Sequence, residues 1–176
     1  SQGLEWDNLI NHMDNISING VRYSNFPKIK RKIRQYVPQL FRIEDVTVVH
    51  GDLCFSNILY DVNNHLIKLI DPRGSFGRMG IYGDIKYDLA KLRHSIAGNY
   101  DFIVQDLFHV EWNGENIKLE VYREPLHDII QEWFDKTLAE RGYSAEYIKF
   151  IEGLLFLSMV PFHSDSPARQ IAMYAT

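Results

Sequence analysis

Apolar positions along this chain follow two periods, and the switch between them predicts its elements. Leu4, Leu9, Ile10 and Met13 recur at helical spacing, so residues 4–13 read as a short helix. From Tyr23 to Leu40, Ile29, Ile33 and Val37 form an i, i+4, i+8 stripe that predicts a second helix, with Pro38 stopping it or lying just past its end. Its outer face carries Lys28, Lys30, Arg31, Lys32 and Arg34, either a solvated surface or a patch for an acidic ligand or partner. The period then shortens. Val46 to Val49 is a β-prone run leading into a polar loop, and Ile58 to Tyr60 leads out of it. A turn at Asp61-Val62-Asn63-Asn64 returns the chain as a strand that ends in Asp71-Pro72-Arg73-Gly74.

Four glycines from Gly74 to Gly83 mark an irregular loop, serving tight turns or close approach of backbone to a phosphate. Gly83 to about Ala97 reads as a helix, with Asp84 or Asp88 near its start to cap free N–H groups. Asn99-Tyr100-Asp101 breaks it. Leu107 to Trp112 and Ile117 to Tyr122 alternate around Asn113-Gly114, the signature of a β-hairpin. Three helices close the chain. Pro125 to Arg141 places Leu126, Ile129, Ile130, Trp133, Phe134 and Leu138 on one face and stops at Gly142. Ser144 caps Ala145 to Met159, which is apolar almost all round toward its end and so expected deep in the core. Asp165-Ser166-Pro167 opens a helix to Tyr174, and His163 just before it reads as a structural group. The pattern is a mainly helical α+β domain with two hairpins.

The chemistry concentrates on Val48-Val49-His50-Gly51-Asp52-Leu53-Cys54-Phe55-Ser56-Asn57-Ile58. His50, Asp52 and Asn57 sit on a loop between strands, and the hairpin carries Asp71 back toward them, so two carboxylates and a carboxamide converge. A plain reading has Asp52 and Asn57 only capping the loop backbone. However, His50-x-Asp52-x-x-x-x-Asn57, a hairpin and then an Asp at a strand end resembles the catalytic and metal loops of kinase-like phosphotransferases. The details point away from protein kinases. Cys54 stands where a Lys usually follows the catalytic Asp, Pro72 replaces the Phe of D-F-G, and no A-P-E follows. The chain resembles instead the aminoglycoside phosphotransferase and choline kinase family, with a further look of members associated with bacterial surface-polysaccharide synthesis.

That resemblance implies the C-terminal, mainly helical lobe of a protein-kinase-like fold over residues 1–176. It implies ATP and Mg²⁺, and transfer of a phosphoryl group to a hydroxyl of a sugar, amino sugar, choline or similar alcohol. Asp52 would be the base and His50 its brace, while Asn57 and Asp71 would bind the metal and through it the nucleotide. Asp84 or Asp88 would hold the catalytic loop by its backbone, and the second hairpin would stand where such kinases carry acceptor-binding insertions or be mere decoration. The Gly-rich loop, strand Lys and Glu partner of a small lobe are missing, so either the chain is the C-terminal piece of a longer polypeptide or the small lobe is not needed; the missing initiating Met reads as a fragment and favours the former. Two rival readings are a catalytically inactive kinase-like binding or regulatory module, and a metal-dependent hydrolase using Asp52 and Asp71. The second lacks the His ligands usual for a two-metal site.

Composition narrows the setting. At 176 residues the chain has room for one domain, and 45% hydrophobic with 24% charged residues is ordinary for a globular protein. A net charge of −4 argues against a nucleic-acid partner. The single cysteine, Cys54, excludes an internal disulfide and fits a cytoplasmic setting. The longest apolar run, Gly153 to Phe162, is too short to cross a bilayer.

Overall fold

A computed structural model describes residues 8–40, 46–75 and 80–176. After a helical turn at residues 8–11 come strands Asn15–Ile18 (β1) and Val21–Ser24 (β2), then helix Phe26–Leu40 (α1). Strand Val46–Val48 (β3) enters the polar loop, and Ile58–Asp61 (β4) and Leu66–Leu69 (β5) form the hairpin that leaves it. Tyr82–Asp84 (β6) leads into helix Ile85–Ile96 (α2), followed by the short helix Tyr100–Val104 (α3). The second hairpin is Phe108–Asn113 (β7) with Asn116–Val121 (β8). Helices Leu126–Glu140 (α4), Ala145–Met159 (α5) and Pro167–Ala175 (α6) complete a mixed α+β fold. No helix among the described residues is long and apolar enough to cross a membrane.

The strands form three small sheets among the described residues, in the orders β2-β1-β8-β7, β3-β6 and β4-β5. Among these described strands only the β1–β8 pairing, Ser17 with Asn116 and Ile18 with Ile117, is parallel. The first hairpin lies between the two helices expected early in the chain and takes Tyr23 and Ser24 from the start of the second. Asn19 and Gly20 turn it with φ of 50° and 82°, and such left-handed pairs match the twist of antiparallel strands. Asn19 also fastens the turn to β8, since its Nδ2 donates to the Leu119 carbonyl and its Oδ1 accepts from the Leu119 N–H, both at 2.9 Å. The second hairpin is therefore joined to the first rather than free-standing. The glycine-rich stretch likewise contains β6, which pairs with β3 from Val46–Asp84 to Val48–Tyr82; residues 4–7 and 76–79 of the sequence-based elements lie outside the described residues.

Among the described residues three buried clusters share two helices. Ala90 and Ile96 meet Phe134, Leu138 and Ile148, while Ile103, Phe156 and Val160 meet Ala172 and Met173. Leu9, Ile16 and Ile117 close on Ile171. Helix α5 thus joins the first cluster to the second, and α6 joins the second to the third. On α4 only one edge of the predicted face is core: Phe134 and Leu138 are buried and Ile130 packs beside them, whereas Leu126, Ile129 and Trp133 are mostly exposed. A six-residue stripe is wider than the strip that touches a neighbouring helix, and packing selected the i, i+4, i+8 edge. For the same reason α5 buries Ile148, Glu152 and Phe156 rather than its whole circumference. Helix α1 buries none of its residues, and Pro38 lies inside it rather than at its end.

A polar knot crosses the helical layer. The Arg93 guanidinium of α2 donates to both carboxylate oxygens of Asp135 on α4, at 2.9 and 3.1 Å, and pairs with Glu152 on α5. Hydrogen bonds from Arg93 hold the Asp135 carboxyl below the usual carboxylate range. Just after α2, a Cβ on Gly98 would lie 2.5 Å from Phe156 Cε2 and 2.8 Å from the His94 carbonyl. Gly98→Ala should therefore destabilise the fold by about 1–3 kcal/mol through overpacking, measured by urea unfolding. An unchanged midpoint would show that the helix ends do not approach this closely.

Candidate active site

The loop takes its shape from a carboxylate in the first turn of α2. The backbone N–H groups of His50 and Gly51 donate to the two oxygens of Asp88, at 2.6 and 2.8 Å, and Asp88 is 3% exposed. The other candidate, Asp84, instead caps α2, accepting from the Lys86 N–H at 2.9 Å and pairing with the Lys86 ammonium. Gly51 is required twice over. Its φ is 79°, and a Cβ there would come 2.8 Å from the Cβ of Arg73.

The segment after β5 is laced to this loop. Arg73 N–H donates to the His50 carbonyl at 2.8 Å, and Ile70 N–H donates to the Asn57 carbonyl at 3.0 Å. The His50 ring closes a third link, with Nε2 2.9 Å from the Ile70 carbonyl. A carbonyl only accepts, so Nε2 carries the proton and Nδ1 is free to accept from the Asp52 N–H at 3.3 Å. His50 thus braces the loop through both ring nitrogens. Asp71 lies between the two laced residues, Ile70 and Arg73, with φ 53° and an exposed side chain. Bonds to the backbone of its neighbours, from the loop backbone and from the His50 ring, hold it beside the loop.

Asp52 and Asn57 do meet. The Asn57 Nδ2 donates to the Asp52 carbonyl at 2.8 Å and reaches its Oδ2 at 3.3 Å. Asn57 itself ends a short 3₁₀ turn, Phe55–Asn57, and is buried. The Cys54 thiol beneath the turn is also buried, 3.2 Å from the Ser56 hydroxyl. Among the described residues no group of three or more His, Cys, Asp and Glu side chains is placed to hold a metal. A cavity of about 730 Å³ lies elsewhere, lined by Phe26, Ile33, Tyr36, Phe150 and Tyr174, and none of Asp52, Asn57 or Asp71 borders it.

Sequence reasoning offered Asp88 as one of two anchors for the loop but missed Lys91 and Ser95 beside it. Asp88, Lys91 and Ser95 recur at i, i+3 and i+7 along α2, all are buried, and all reach the loop. Lys91 Nζ lies 2.8 Å from Asp52 Oδ1, and Ser95 Oγ accepts from the Phe55 N–H at 3.1 Å. That polar stripe was visible in the residues, but a polar stripe on a helix ordinarily faces water. Beside it His94 is fully buried between the rings of Tyr100 and Phe156, with centroids 4.4 and 3.9 Å away, and neither of its nitrogens has a hydrogen-bond partner. Burial, helped by the Lys91 charge, holds its pKa down to about 3. Burial also pushes the Tyr100 phenol up to about 12.

No protein-family model matches this chain, and no curated protein or solved structure matches it either. The functional reading rests on the site itself.

Two expectations follow from this geometry. Asp88→Ala should cost about 3 kcal/mol in urea unfolding, because it strands the His50 and Gly51 N–H groups and releases the loop; a loss under about 0.5 kcal/mol would mean the carboxylate does not set the loop. His94 sets a pH dependence of the opposite sense to a salt-bridged histidine. Its folded pKa is about 3, below the unfolded value of 6.5, so protons bind the unfolded chain more readily. The stability of neutral His94 is complete above pH 6.5 and is lost as pH falls from there toward about 3, by up to about 1.4 kcal/mol per unit. Between pH 7.5 and 5 the parent should lose about 2 kcal/mol more than His94→Phe. Parallel stability curves for the two would contradict this.

Proposed function

We propose that this chain is the large lobe of an ATP-dependent phosphotransferase that acts on a hydroxyl of a small molecule, of the aminoglycoside phosphotransferase and choline kinase kind. One observation carries the reading. A short loop presents Asp52 with the Asn57 carboxamide on it, and the backbone of residues 70–73 pins Asp71 alongside. The brace from His50 and the anchor from Asp88 are the supports such a loop requires.

In the proposed reaction the acceptor oxygen attacks the γ-phosphorus while the bond from that phosphorus to the β,γ-bridging oxygen breaks. Asp52 accepts a hydrogen bond from the acceptor hydroxyl and takes its proton as the transition state develops. The Asp52 carboxylate has the exposure this requires, 44% of its side chain being accessible. Asn57 turns its amide nitrogen to Asp52, which leaves its carbonyl oxygen for a cation, and Asp71 adds an exposed carboxylate. Two hard oxygen donors suit Mg²⁺, which keeps waters and phosphate oxygens as its remaining ligands rather than an all-protein cage. When bound, Mg²⁺ would neutralise charge on the phosphates. The residues of the loop supply position and orientation, from which most of the rate would come.

This reading needs a second lobe to enclose the nucleotide. In its favour, Val48, Leu59, Leu66, Ile67 and Leu69, on the strands flanking the loop, are between 48 and 70% exposed. Acceptors compatible with the site are sugars, amino sugars, choline and similar alcohols.

The test is a kinase assay of the full-length polypeptide against a panel of such alcohols, alongside calorimetric titration with Mg-ATP. Asp52→Asn should lower kcat by about 10²–10⁴ while Mg-ATP binding stays close to the parent's. Asp71→Ala should weaken Mg-ATP binding itself. This chain alone should bind Mg-ATP weakly and turn over very slowly, since water stays in an uncovered site. If both variants turn over at the parent rate, phosphotransfer is the wrong reading and a binding module takes its place.

A further inference from the structure

Lys91 is 5% exposed, and an ammonium removed from water is costly unless it is paired. Its Nζ is 2.8 Å from Asp52 Oδ1 and 5.4 Å from the centre of the Tyr100 ring. His94, three residues further along α2, is held neutral by burial and offers no charge. Asp88, three residues earlier, directs its carboxylate to the His50 and Gly51 N–H groups. Among the described residues Asp52 is the carboxylate that forms an ion pair with Lys91.

We infer that Lys91 is a positioning residue for Asp52, a counter-ion supplied from α2 that fixes the orientation of the carboxylate at the loop. The cation reaches the loop from beneath, whereas position 54, within the loop, holds a cysteine. The Asp52 carboxylate is then held at both oxygens, tightly at Oδ1 by Lys91 and loosely at Oδ2 by Asn57, 3.3 Å away. The looser contact marks Oδ2 as the oxygen that an incoming hydroxyl approaches. Held at both oxygens, Asp52 is fixed in the orientation that aligns the acceptor hydroxyl before it takes the proton. In a loose phosphoryl-transfer transition state alignment matters more than early proton removal. The kinetic part of this inference rests on the phosphotransferase reading; the ion pair and its coupling do not.

The experiment is a double-mutant cycle with Lys91→Met, which keeps side-chain length without charge, Asp52→Asn, and both together. In thermal unfolding of this chain each single change should lower Tm, and the double variant should lose less than the sum, because it leaves no charge unpaired. Strictly additive losses would overturn the inference. In the full-length polypeptide, Lys91→Met should lower kcat about a hundredfold while KM for Mg-ATP moves less than about twofold, and should add nothing in the Asp52→Asn background. Lys91→Arg, which keeps the charge should Met fail to fold, is expected to retain more than about a tenth of kcat. An Arg variant as slow as Asp52→Asn, or a Met variant as fast as the parent, overturns the role given to the charge. Coupled unfolding with no turnover in the parent instead removes the phosphotransferase reading and leaves Lys91 as the counter-ion of Asp52.

Discussion

Two N–H groups and one carboxylate hold the site together. The Asp88 oxygens take the backbone donors of His50 and Gly51, and everything above depends on where those two residues then point. With the turn set, the His50 carbonyl meets the Arg73 N–H and the His50 ring meets the Ile70 carbonyl. Segment 70–73 is thereby drawn across the loop, and Asp71 arrives with it. A charge-assisted pair of hydrogen bonds to backbone is worth more than a neutral pair, and leaving the two N–H groups stranded would cost more still. One side chain on a helix therefore decides the path of two separate loop segments.

Helix α2 is the element that makes this possible. One stripe, Asp88, Lys91 and Ser95, supports the loop. Ala90 and Ile96 face the apolar core, and Arg93 ties the helix to α4 and α5 through Asp135 and Glu152. The helix is polar where it meets the loop and apolar or ion-paired where it meets the other helices. Buried ion pairs contribute little net stability, but they penalise any arrangement that separates the partners. Lys91 and Arg93 thus act on placement: each finds its carboxylate only when loop and helices are docked in this way.

The strands around the loop contrast with that rigid base. β3–β6 and β4–β5 are two-stranded, and isolated pairs of this kind are marginal in water. They are held by the loop bonds beneath them rather than by burial, since most of their apolar residues remain exposed. On the proposed reading this is the side on which a nucleotide and its cover would sit, and a catalytic loop anchored from below leaves that side open to them.

Local chemistry was legible in the residues. Turn pairs such as Asn113-Gly114, caps such as Ser144 and Ser166, and the spacing of His50, Asp52, Asn57 and Asp71 act over a few positions, so the elements and the candidate loop could be read directly. The first hairpin carried the same signal at Asn19-Gly20, yet its strands are short and β1 is completed by pairing with β8, about a hundred residues away. Which edge of α4 is core, and which of Asp84 and Asp88 holds the loop, depended on how helices rotate against one another. The polar stripe of α2 is the sharpest case. In sequence, Lys91 is one more charged residue on an amphipathic helix; only when the loop packs over it does it lose water and need Asp52. A residue's own chemistry is local, but whether its charge meets solvent or a partner is set by what the rest of the chain folds against it.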